Sequence, residues 1–370
     1  MYFALTDEQR ALQETARRFL AERFPLSAVR ELYDDPAGDG DPPKLWKAIG
    51  EQGWLAVLVP EEHDGLGRGL LDAAVIARCW GAGCGPGPWL PTLVTAEALR
   101  LAGDPGQLAA WLPRVAAGEA KLAPALGHGD VTKVTVREGR LSGAATHVEY
   151  AHVADRLVVA ASPAGTAGGE GDGTGLWLVD PRGEGVRVTR HDALDRSARL
   201  ATVTFDGTPA ERLPGGSDAV RSGVLDRAAV LYANDLVGVA RTALARTVAY
   251  DIQREQFGRP VGSFQAVKHA LADLHVGVTM AEHGALYAAH AVDEALPDAR
   301  LAVSIAKAKA SDVARDATAA AIQYHGGIGY TWEHDAHLFF KRAKREEYAY
   351  GDAVTHRERI ARLVVDAARP

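Results

Sequence analysis

The chain has 370 residues, of which 47% are hydrophobic and 24% are charged, and this length allows two or three domains with a sizeable core. Its formal net charge of −7 disfavours a nucleic-acid-binding surface, and no apolar run is long enough to span a bilayer. Cys79 and Cys84 match neither a metal-site spacing nor a disulfide framework, so a reduced cytoplasmic protein is expected.

The first third of the chain has the pattern of helices. Thr6 to Gln9 has the spacing of a capping box, and apolar residues then recur at helical intervals. Residues 44–53 and 71–83 repeat this pattern, and a further helix is expected from about Thr92 to Ala117. We therefore predict an N-terminal helical domain over residues 1–120.

From about Leu122 the apolar period changes from helical to alternating. Five segments are rich in β-branched residues and bounded by turn formers: residues 131–136, 156–161, 175–180, 186–189 and 201–205. They predict an all-β middle domain over residues 121–217. The Gly, Ala and Thr run from Ala164 to Gly175 is too polar to pack and is expected to be a mobile hairpin loop.

Helical periodicity returns at about Asp218 and continues, apart from a loop at 257–264, to nearly Arg369. An apolar stripe marks one face of the first long helix, and residues 302–322 are alanine-rich enough for tight antiparallel packing. Residues 218–370 are thus expected to form a helical C-terminal domain. Helices followed by strands and then helices indicate an α+β fold, and an alternating βαβ fold is not expected.

Two segments of the predicted C-terminal domain have the residue types of a ligand site. The first runs from Arg254 to Gln265, and the second runs from Gln323 to Tyr330 and contains paired glycines. An arginine offers a fixed fork of donors for phosphate oxygens, and glycines let the backbone approach a bulky ligand closely. Either segment alone could be an exposed loop or a helix contact, but the two together suit the pyrophosphate of a dinucleotide.

The pair resembles the C-terminal signature of the acyl-CoA dehydrogenase family, whose members are flavoenzymes that oxidise the α,β carbons of acyl thioesters. The resemblance covers essentially the whole chain. It implies an N-terminal helical domain, a β-barrel-like middle domain and a C-terminal four-helix bundle. It also implies FAD as the cofactor, and an acyl-CoA or acyl-carrier-protein thioester as the substrate.

In this family, residues of the two segments bind the pyrophosphate and adenine end of the flavin dinucleotide. The resemblance extends this cofactor-binding role to Arg254, Phe257, Phe264, Gln323, Gly326 and Gly327. In such enzymes the flavin that these residues contact is largely embedded in the neighbouring subunit. A homo-oligomer, or a hetero-oligomer with a related subunit, is therefore implied.

The chemistry needs a carboxylate base, which works best when burial raises its pKa toward the working pH. The family's base lies in a Tyr-Glu-Gly-Thr segment, and the matching residues here place Tyr350 at the position of the glutamate. Tyrosine, with an unperturbed pKa of about 10, is a poor base at neutral pH. Asp235 is the main replacement candidate and is otherwise a buried polar or intersubunit contact, while Asp352 and Glu347 are weaker candidates.

The middle domain also departs from the family pattern. The flavin-contacting Trp-Ile-Thr segment of the family matches residues 147–149, which places His147 and Glu149 at the flavin. The negative charge of Glu149 beside an electron acceptor would oppose reduction. The histidines of the C-terminal third lack a metal-site arrangement, so no metal is expected.

The leading hypothesis is that the chain is an FAD-dependent acyl-CoA dehydrogenase. In one form of this hypothesis, the chain is the non-catalytic subunit of a heteromer. The cofactor-reaching segments are intact, whereas the base and the middle segment are altered. An alternative is a flavin monooxygenase or an acyl-carrier-protein dehydrogenase on the same scaffold, with Asp235 or Tyr350 repurposed. A third hypothesis, a non-enzymatic protein that binds nucleic acid, is disfavoured by the net charge.

Overall fold

The computed structural model describes residues 4–127, 132–165 and 173–365. The chain divides into two compact units. The first unit consists of Met1–Arg30, Leu70–Gly85 and Ala229–Pro370, and the second consists of Glu31–Gly69 and Pro86–Ala228. The predicted domain limits at residues 120 and 217 stay a prediction. Most of the predicted hairpin loop at 164–175 lies outside the described residues.

The second unit is built on one eight-stranded β sheet. Its strands are β1 (Leu122–Ala125), β2 (Thr132–Arg137), β3 (Arg140–Glu149), β4 (Arg156–Pro163), β5 (Gly175–Val179), β6 (Val186–Arg190), β7 (Leu200–Pro209) and β8 (Glu211–Leu213). The strand order is β6-β7-β3-β2-β4-β5-β8, and β1 pairs with β4. β1 and β2 run parallel to β4, and the other pairs are antiparallel. Leu141, Val159 and Phe205 are among the residues of its apolar core.

Helices precede and follow the sheet in the sequence. They are α1 (Asp7–Arg23), α2 (Leu26–Asp34), α3 (Pro43–Glu51), α4 (Leu70–Ala82), α5 (Trp89–Ala102), α6 (Pro105–Ala116), α7 (Asp218–Gln253), α8 (Gln265–Asp293), α9 (Ala299–Tyr324), α10 (Ala336–Glu346) and α11 (Ala353–Val364). This order confirms the predicted α+β class. Within the described ranges, no helix is both long and apolar enough to cross a membrane.

Some predicted elements differ from those in the structure for identifiable local reasons. The single helix expected from Thr92 to Ala117 is two helices, because Asp104 caps α6 with Pro105 at its first position. The sequence reading missed β3, whose pattern is interrupted by Gly143 at a φ of 123° and by irregular pairing with β7. The predicted capping box at the start of α1 is confirmed by reciprocal hydrogen bonds between Thr6 and Gln9.

Within the first unit, α4 and α7 cross so closely that their backbones almost touch. A β-carbon on Gly81 would lie 2.0 Å from the carbonyl oxygen of Asp235, and one on Gly238 would lie 2.0 Å from that of Arg78. Only glycine fits at these two positions without displacing a helix. Farther along the chain, α9 packs against α8, α10 and α11. This packing fixes the ends of α7 and α9, where the two candidate ligand segments begin.

Candidate cofactor and catalytic residues

Arg254 follows α7 directly and leads into a short hairpin of β9 (Glu255–Gln256) and β10 (Arg259–Pro260). The two turn residues, Phe257 and Gly258, have φ values of 55° and 75°, as a type I′ turn requires. Asn, Asp or Gly is usual at the first of these positions, so Phe257 keeps a strained backbone there. Its side chain is 92% exposed. The hairpin thus presents an aromatic ring to a ligand or to another chain.

Phe264 packs against this ring, and Arg259 in turn lies over Phe264. The rings of Phe257 and Phe264 meet edge to face, with centroids 6.1 Å apart. The guanidinium of Arg259 lies 4.0 Å from the centroid of the Phe264 ring. Arg254, at the base of the hairpin, is exposed. The segment therefore offers arginine and aromatic groups together, as a nucleotide ligand requires.

The glycine pair follows the end of α9. Gln323 is exposed, and Gly326 has a φ of 63°, a backbone conformation that side chains rarely adopt. A β-carbon added to Gly326 or Gly327 would meet no atom within 4 Å. Internal packing therefore does not explain this glycine pair. Its backbone borders open space that a ligand could approach.

The two candidate ligand segments lie at the same end of the first unit. Tyr250 is one helical turn before Arg254, and its ring centroid lies 4.6 Å from that of His325, which stands between Gln323 and Gly326. This contact joins the C-terminal ends of α7 and α9. An exposed guanidinium, exposed aromatic rings and an open glycine backbone fit the pyrophosphate and adenine end of a flavin dinucleotide. Their cofactor-binding roles stay a prediction.

His147 and Glu149 lie on β3, in the unit that contains the sheet. The pairing of β3 with β7 shifts between Ala145 and Val148, and His147 within this bulge has a φ of 58°. The exposed His147 ring stacks on His191 with centroids 6.1 Å apart, and Glu149 is half-buried. The flavin contacts implied for these two residues stay predictions.

Asp235 is fully buried in an ion pair. Its carboxylate accepts two hydrogen bonds from Arg342, at 2.9 Å from Nε and 2.6 Å from Nη2. Arg342 also donates to the carbonyl oxygen of Gly85 at 2.8 Å and lies 3.2 Å from Glu346. A base needs a carboxylate oxygen that can reach substrate, whereas both oxygens of Asp235 are engaged. This environment favours the second interpretation of Asp235, a buried polar contact.

A second carboxylate, Glu346, shares the same guanidinium. Burial raises the pKa of Glu346 well above its ordinary value, while the positive charge of Arg342 opposes this rise. The nearby carboxylate of Asp235 adds to the rise. Arg345 also donates to Glu346, at 2.8 Å, so two arginines and two carboxyl groups meet in this cluster.

Tyr350 stands in the loop that joins α10 to α11. It is half-buried with a φ of 57°, and its ring centroid lies 4.9 Å from that of the fully buried Tyr232. His356 Nε2 lies 3.1 Å from the carbonyl oxygen of Tyr350. The loop is also held by Lys307, whose amine donates to the carbonyl oxygen of Gly351 at 2.9 Å. The loop is thus tied to α9 and α11.

The other two carboxylates near this loop have structural partners. Asp352 caps α11 by accepting a hydrogen bond from the backbone N–H of Thr355 at 2.8 Å, and this bond lowers the pKa of Asp352. Glu347 is paired with Lys344. A lowered pKa makes Asp352 a weaker base. Asp235, Asp352 and Glu347 are therefore all engaged in contacts that stabilise the fold.

The sequence reading did not single out Asp251, which lies one turn before Arg254. Its side chain is 1% exposed, neither carboxylate oxygen has a hydrogen-bond partner within the described residues, and burial raises its pKa to about 6. The sequence did indicate that Asp251 is buried, because Ala243, Thr247 and Asp251 are four residues apart and therefore lie on one face of α7. Lys307 was missed in the same way, although it interrupts an alanine-rich run.

The histidine pair beside the glycines predicts a pH dependence of stability. The ring centroids of His325 and His334 are 4.3 Å apart, and burial lowers the pKa of both below the ordinary 6.5, with Arg246 lowering each further. Below about pH 6.5 the unfolded chain therefore binds more protons than the folded chain. The free energy of unfolding is expected to fall as the pH decreases from 7.5 to 5.5.

Urea unfolding at these two pH values measures this dependence. His334→Gln removes one titrating ring and the repulsion between two protonated rings, so it should reduce the loss of stability on acidification. His283→Gln, at an exposed position of α8, is the matched control and should leave the loss unchanged. An equal loss in His334→Gln and wild type would contradict the assignment to this pair.

Comparisons with known protein families return two matching sequence profiles. The profile described as "Acyl-CoA dehydrogenase, N-terminal domain" matches residues 6–119. The profile described as "Acyl-CoA dehydrogenase, C-terminal domain" matches residues 215–365. Both candidate ligand segments fall inside the second match. The chain is also 34% identical over 343 residues to the acyl-CoA dehydrogenase IpdE2 of Mycobacterium tuberculosis, covering 91% of each protein.

Solved structures with the same fold include two that are named for a pair of chains. A variant of the Tcur3481–Tcur3483 steroid ACAD is 30% identical, with a TM-score of 0.88 over 98% of this chain and 99% of that chain. The ChsE4–ChsE5 complex from Mycobacterium tuberculosis is 27% identical, with a TM-score of 0.89 over 100% of both chains. The similarity thus extends over the helical and the β segments alike.

Proposed function

Because this chain belongs to the acyl-CoA dehydrogenase family, we propose that it is the non-catalytic subunit of a heteromeric, flavin-dependent enzyme that oxidises the α,β bond of an acyl thioester. In this proposal the chain contributes to the cofactor site, and an unlike subunit of the same family contributes the base. The similar protein IpdE2 is named an acyl-CoA dehydrogenase and the Tcur3481–Tcur3483 structure a steroid ACAD, which favours this function over a flavin monooxygenase.

The observation that carries the proposal is the absence of an available carboxylate at the position of the base. Tyr350 stands there, packed against Tyr232. Of the candidate replacements, Asp235 is engaged by Arg342, Asp352 caps a helix, and Glu347 is paired with Lys344. Removal of an α proton needs a base within hydrogen-bond reach. An unlike subunit that carries a carboxylate would supply it.

The family is flavin-dependent, and we propose FAD as the cofactor. Arg254 would donate to pyrophosphate oxygens, the exposed ring of Phe257 would contact the nucleotide, and Gly326 and Gly327 would allow close approach of the backbone. The chemistry that FAD supplies when bound is acceptance of the hydride from the β carbon. These residues would bind and orient the cofactor without taking part in proton transfer.

The proposed partner is a related but unlike chain. The ChsE4–ChsE5 structure is a complex of two differently named chains, and the Tcur3481–Tcur3483 structure is named in the same way. The latter protein is described as a steroid ACAD, so a steroid CoA thioester is the first substrate class to test. A cytoplasmic location is also proposed, because Cys79 and Cys84 are buried cysteines that form no disulfide.

The test is to purify the chain alone and together with the family member encoded beside it. Alone, it should bind flavin poorly and should not dehydrogenate acyl-CoA thioesters. The co-purified complex should contain flavin in a fixed ratio, and a thioester substrate should bleach the flavin absorbance. Stoichiometric flavin that a thioester bleaches in the chain alone would refute the partner-subunit assignment.

Arg254→Met tests whether this chain reaches the cofactor in the complex. Loss of charge-assisted hydrogen bonds should weaken flavin binding about 10-fold to 100-fold. Arg300→Met is the matched control, because Arg300 is exposed at the opposite end of α9 from Gln323. Flavin affinity that responds equally to the two substitutions would remove Arg254 from the cofactor site.

A further inference from the structure

A cavity of about 280 Å³ lies in the unit that contains the β sheet. We call it the arginine cavity, and it is lined by Pro36, Ala37, Arg190, His191, Asp192, Ala193, Arg196, Ala198 and Arg199. Three of its lining side chains are guanidinium groups and only one is a carboxylate. The cofactor residues discussed above do not line it, although His147 stacks on the lining residue His191. It therefore needs an explanation of its own.

Two of the arginines donate hydrogen bonds to backbone carbonyl oxygens, and Arg196 also donates to the carboxylate of Asp192 at 3.5 Å. Arg190 donates to the carbonyl oxygens of Gly38, at 3.0 Å, and Ala37, at 2.7 Å. Arg196 donates to the carbonyl oxygen of Tyr33 at 3.0 Å. Carbonyl oxygens fix the direction of a guanidinium without cancelling its charge. In the described part of the chain Nε of Arg190 and Nε of Arg196 have no acceptor, so each can still donate to a ligand.

The third arginine, Arg199, contributes mainly its charge. It is 5% exposed, and its Nε, Nη1 and Nη2 all donate to backbone carbonyl oxygens, including that of Asp35 at 2.9 Å. Its donors are therefore engaged, but no carboxylate pairs with it among the described residues. A positive charge acts strongly where water is excluded, because screening there is weak. Arg199 therefore adds a positive charge to the lining of the cavity.

The nearby carboxylates do not neutralise this charge. Asp192 lies 3.5 Å from Arg196, and Asp39, outside the lining, lies 3.6 Å from Arg190. Both carboxylates are largely exposed, at 79% and 69%, so water and salt screen them. The lining has three arginines and one carboxylate, that of Asp192, so its net charge is +2. If Asp39 is counted as well, the net charge is +1.

From this geometry we propose that the arginine cavity binds a phosphate group. The guanidinium groups of Arg190 and Arg196 can each donate to phosphate oxygens through Nε, and the net positive charge of the lining matches a phosphate anion. His191, whose Nε2 lies 2.9 Å from Thr202 Oγ1, also lines the cavity. The phosphate is either the free ion or the phosphate ester of a nucleotide. The site goes beyond the proposed dehydrogenase function and would stand without it.

Isothermal titration calorimetry on the full chain, at constant ionic strength in chloride, tests the proposal with inorganic phosphate. One phosphate per chain is expected to bind. The double variant Arg190→Gln/Arg196→Gln should weaken binding about tenfold or more, because it removes two charge-assisted donors. Arg187→Gln, on the same strand as Arg190 and outside the lining, is the matched control and should bind like wild type.

Adenosine monophosphate, adenosine and inorganic phosphate distinguish the two sources of the phosphate. Tighter binding of the nucleotide than of phosphate, with no binding of adenosine, identifies a phosphate ester. Equal binding of nucleotide and phosphate identifies the free ion. If the double variant does not give a cooperative thermal unfolding transition, Arg190→Gln alone is compared with Arg187→Gln. No phosphate heat above the chloride background, or an equal loss in Arg187→Gln, overturns the proposal.

Discussion

Arg342→Met is expected to lower the free energy of unfolding by about 3–5 kcal/mol, because it leaves the buried carboxylate of Asp235 without its cation. Arg342 is 2% exposed, and it pairs with Asp235 through two hydrogen bonds and with Glu346 at 3.2 Å. It also donates to the carbonyl oxygen of Gly85, which would lose its donor. Urea unfolding at neutral pH measures the change.

Arg357→Met is the matched control for this experiment. Arg357 is 57% exposed and paired with Asp312, so its loss should change stability by about 0.5 kcal/mol or less. Adding Asp235→Leu to Arg342→Met should restore part of the stability, because it removes the unpaired buried carboxylate. If Arg342→Met and Arg357→Met have the same effect, the buried cluster does not stabilise the fold as argued.

Lys307→Met is expected to cost about 2–4 kcal/mol at pH 9, because each buried carbonyl left without a donor costs about 1–3 kcal/mol. The Lys307 nitrogen is fully buried and lies 3.1, 3.1 and 2.9 Å from the carbonyl oxygens of Glu346, Glu347 and Gly351, and the neutral amine present at pH 9 can donate to two of them. These carbonyls end α10 and begin the loop that carries Tyr350. The variant should therefore loosen that loop as well as lower stability.

The cost of Lys307→Met should also depend on pH. Burial lowers the pKa of Lys307 from 10.5 to about 7, although the nearby acids Glu346, Asp352 and Glu347 oppose this change. Between pH 7 and 10.5 the unfolded chain binds a proton that the folded chain does not, so this group raises stability as the pH rises. Lys307→Met removes that rise, and its cost should grow from pH 7 to pH 9.

Urea unfolding of the wild type and of Lys307→Met at pH 7 and pH 9 separates the loss of hydrogen bonds from the effect of the lowered pKa. Lys309→Met, half-buried on the same helix, is the control for loss of a lysine from α9. It should change stability little at either pH. A cost of Lys307→Met that is equal at the two pH values would show that the buried amine keeps its ordinary pKa.

The sequence was informative wherever structure depends on neighbouring residues. The capping box at Thr6, the start of α7 at Asp218 and the alanine-rich α9 were all visible as local patterns. The paired segments at Arg254 and Gln323 were recognised because their residue types are unusual in combination. Their proximity was a consequence of two long helices, which the structure then showed through Tyr250 and His325.

The candidate base could not be evaluated from the sequence. Asp235 lies near the apolar face of α7, and this position is compatible with either a base or a structural acid. The decisive neighbour, Arg342, lies 107 residues away in the chain. Likewise, Gly143 and the bulge at His147 concealed β3, because strand alternation is read from regular spacing.

The sequence by itself determined the α+β order, the family resemblance and the two ligand segments, because periodicity and motif spacing depend on residues a few positions apart. Only the tertiary structure decided which charged groups are paired and which keep an excess of charge. It enclosed Arg342 between Asp235 and Glu346, and it gathered Arg190, Arg196 and Arg199 around one cavity. Burial and pairing arise from contacts between distant segments, and these contacts set both the pKa of a group and its availability to a ligand.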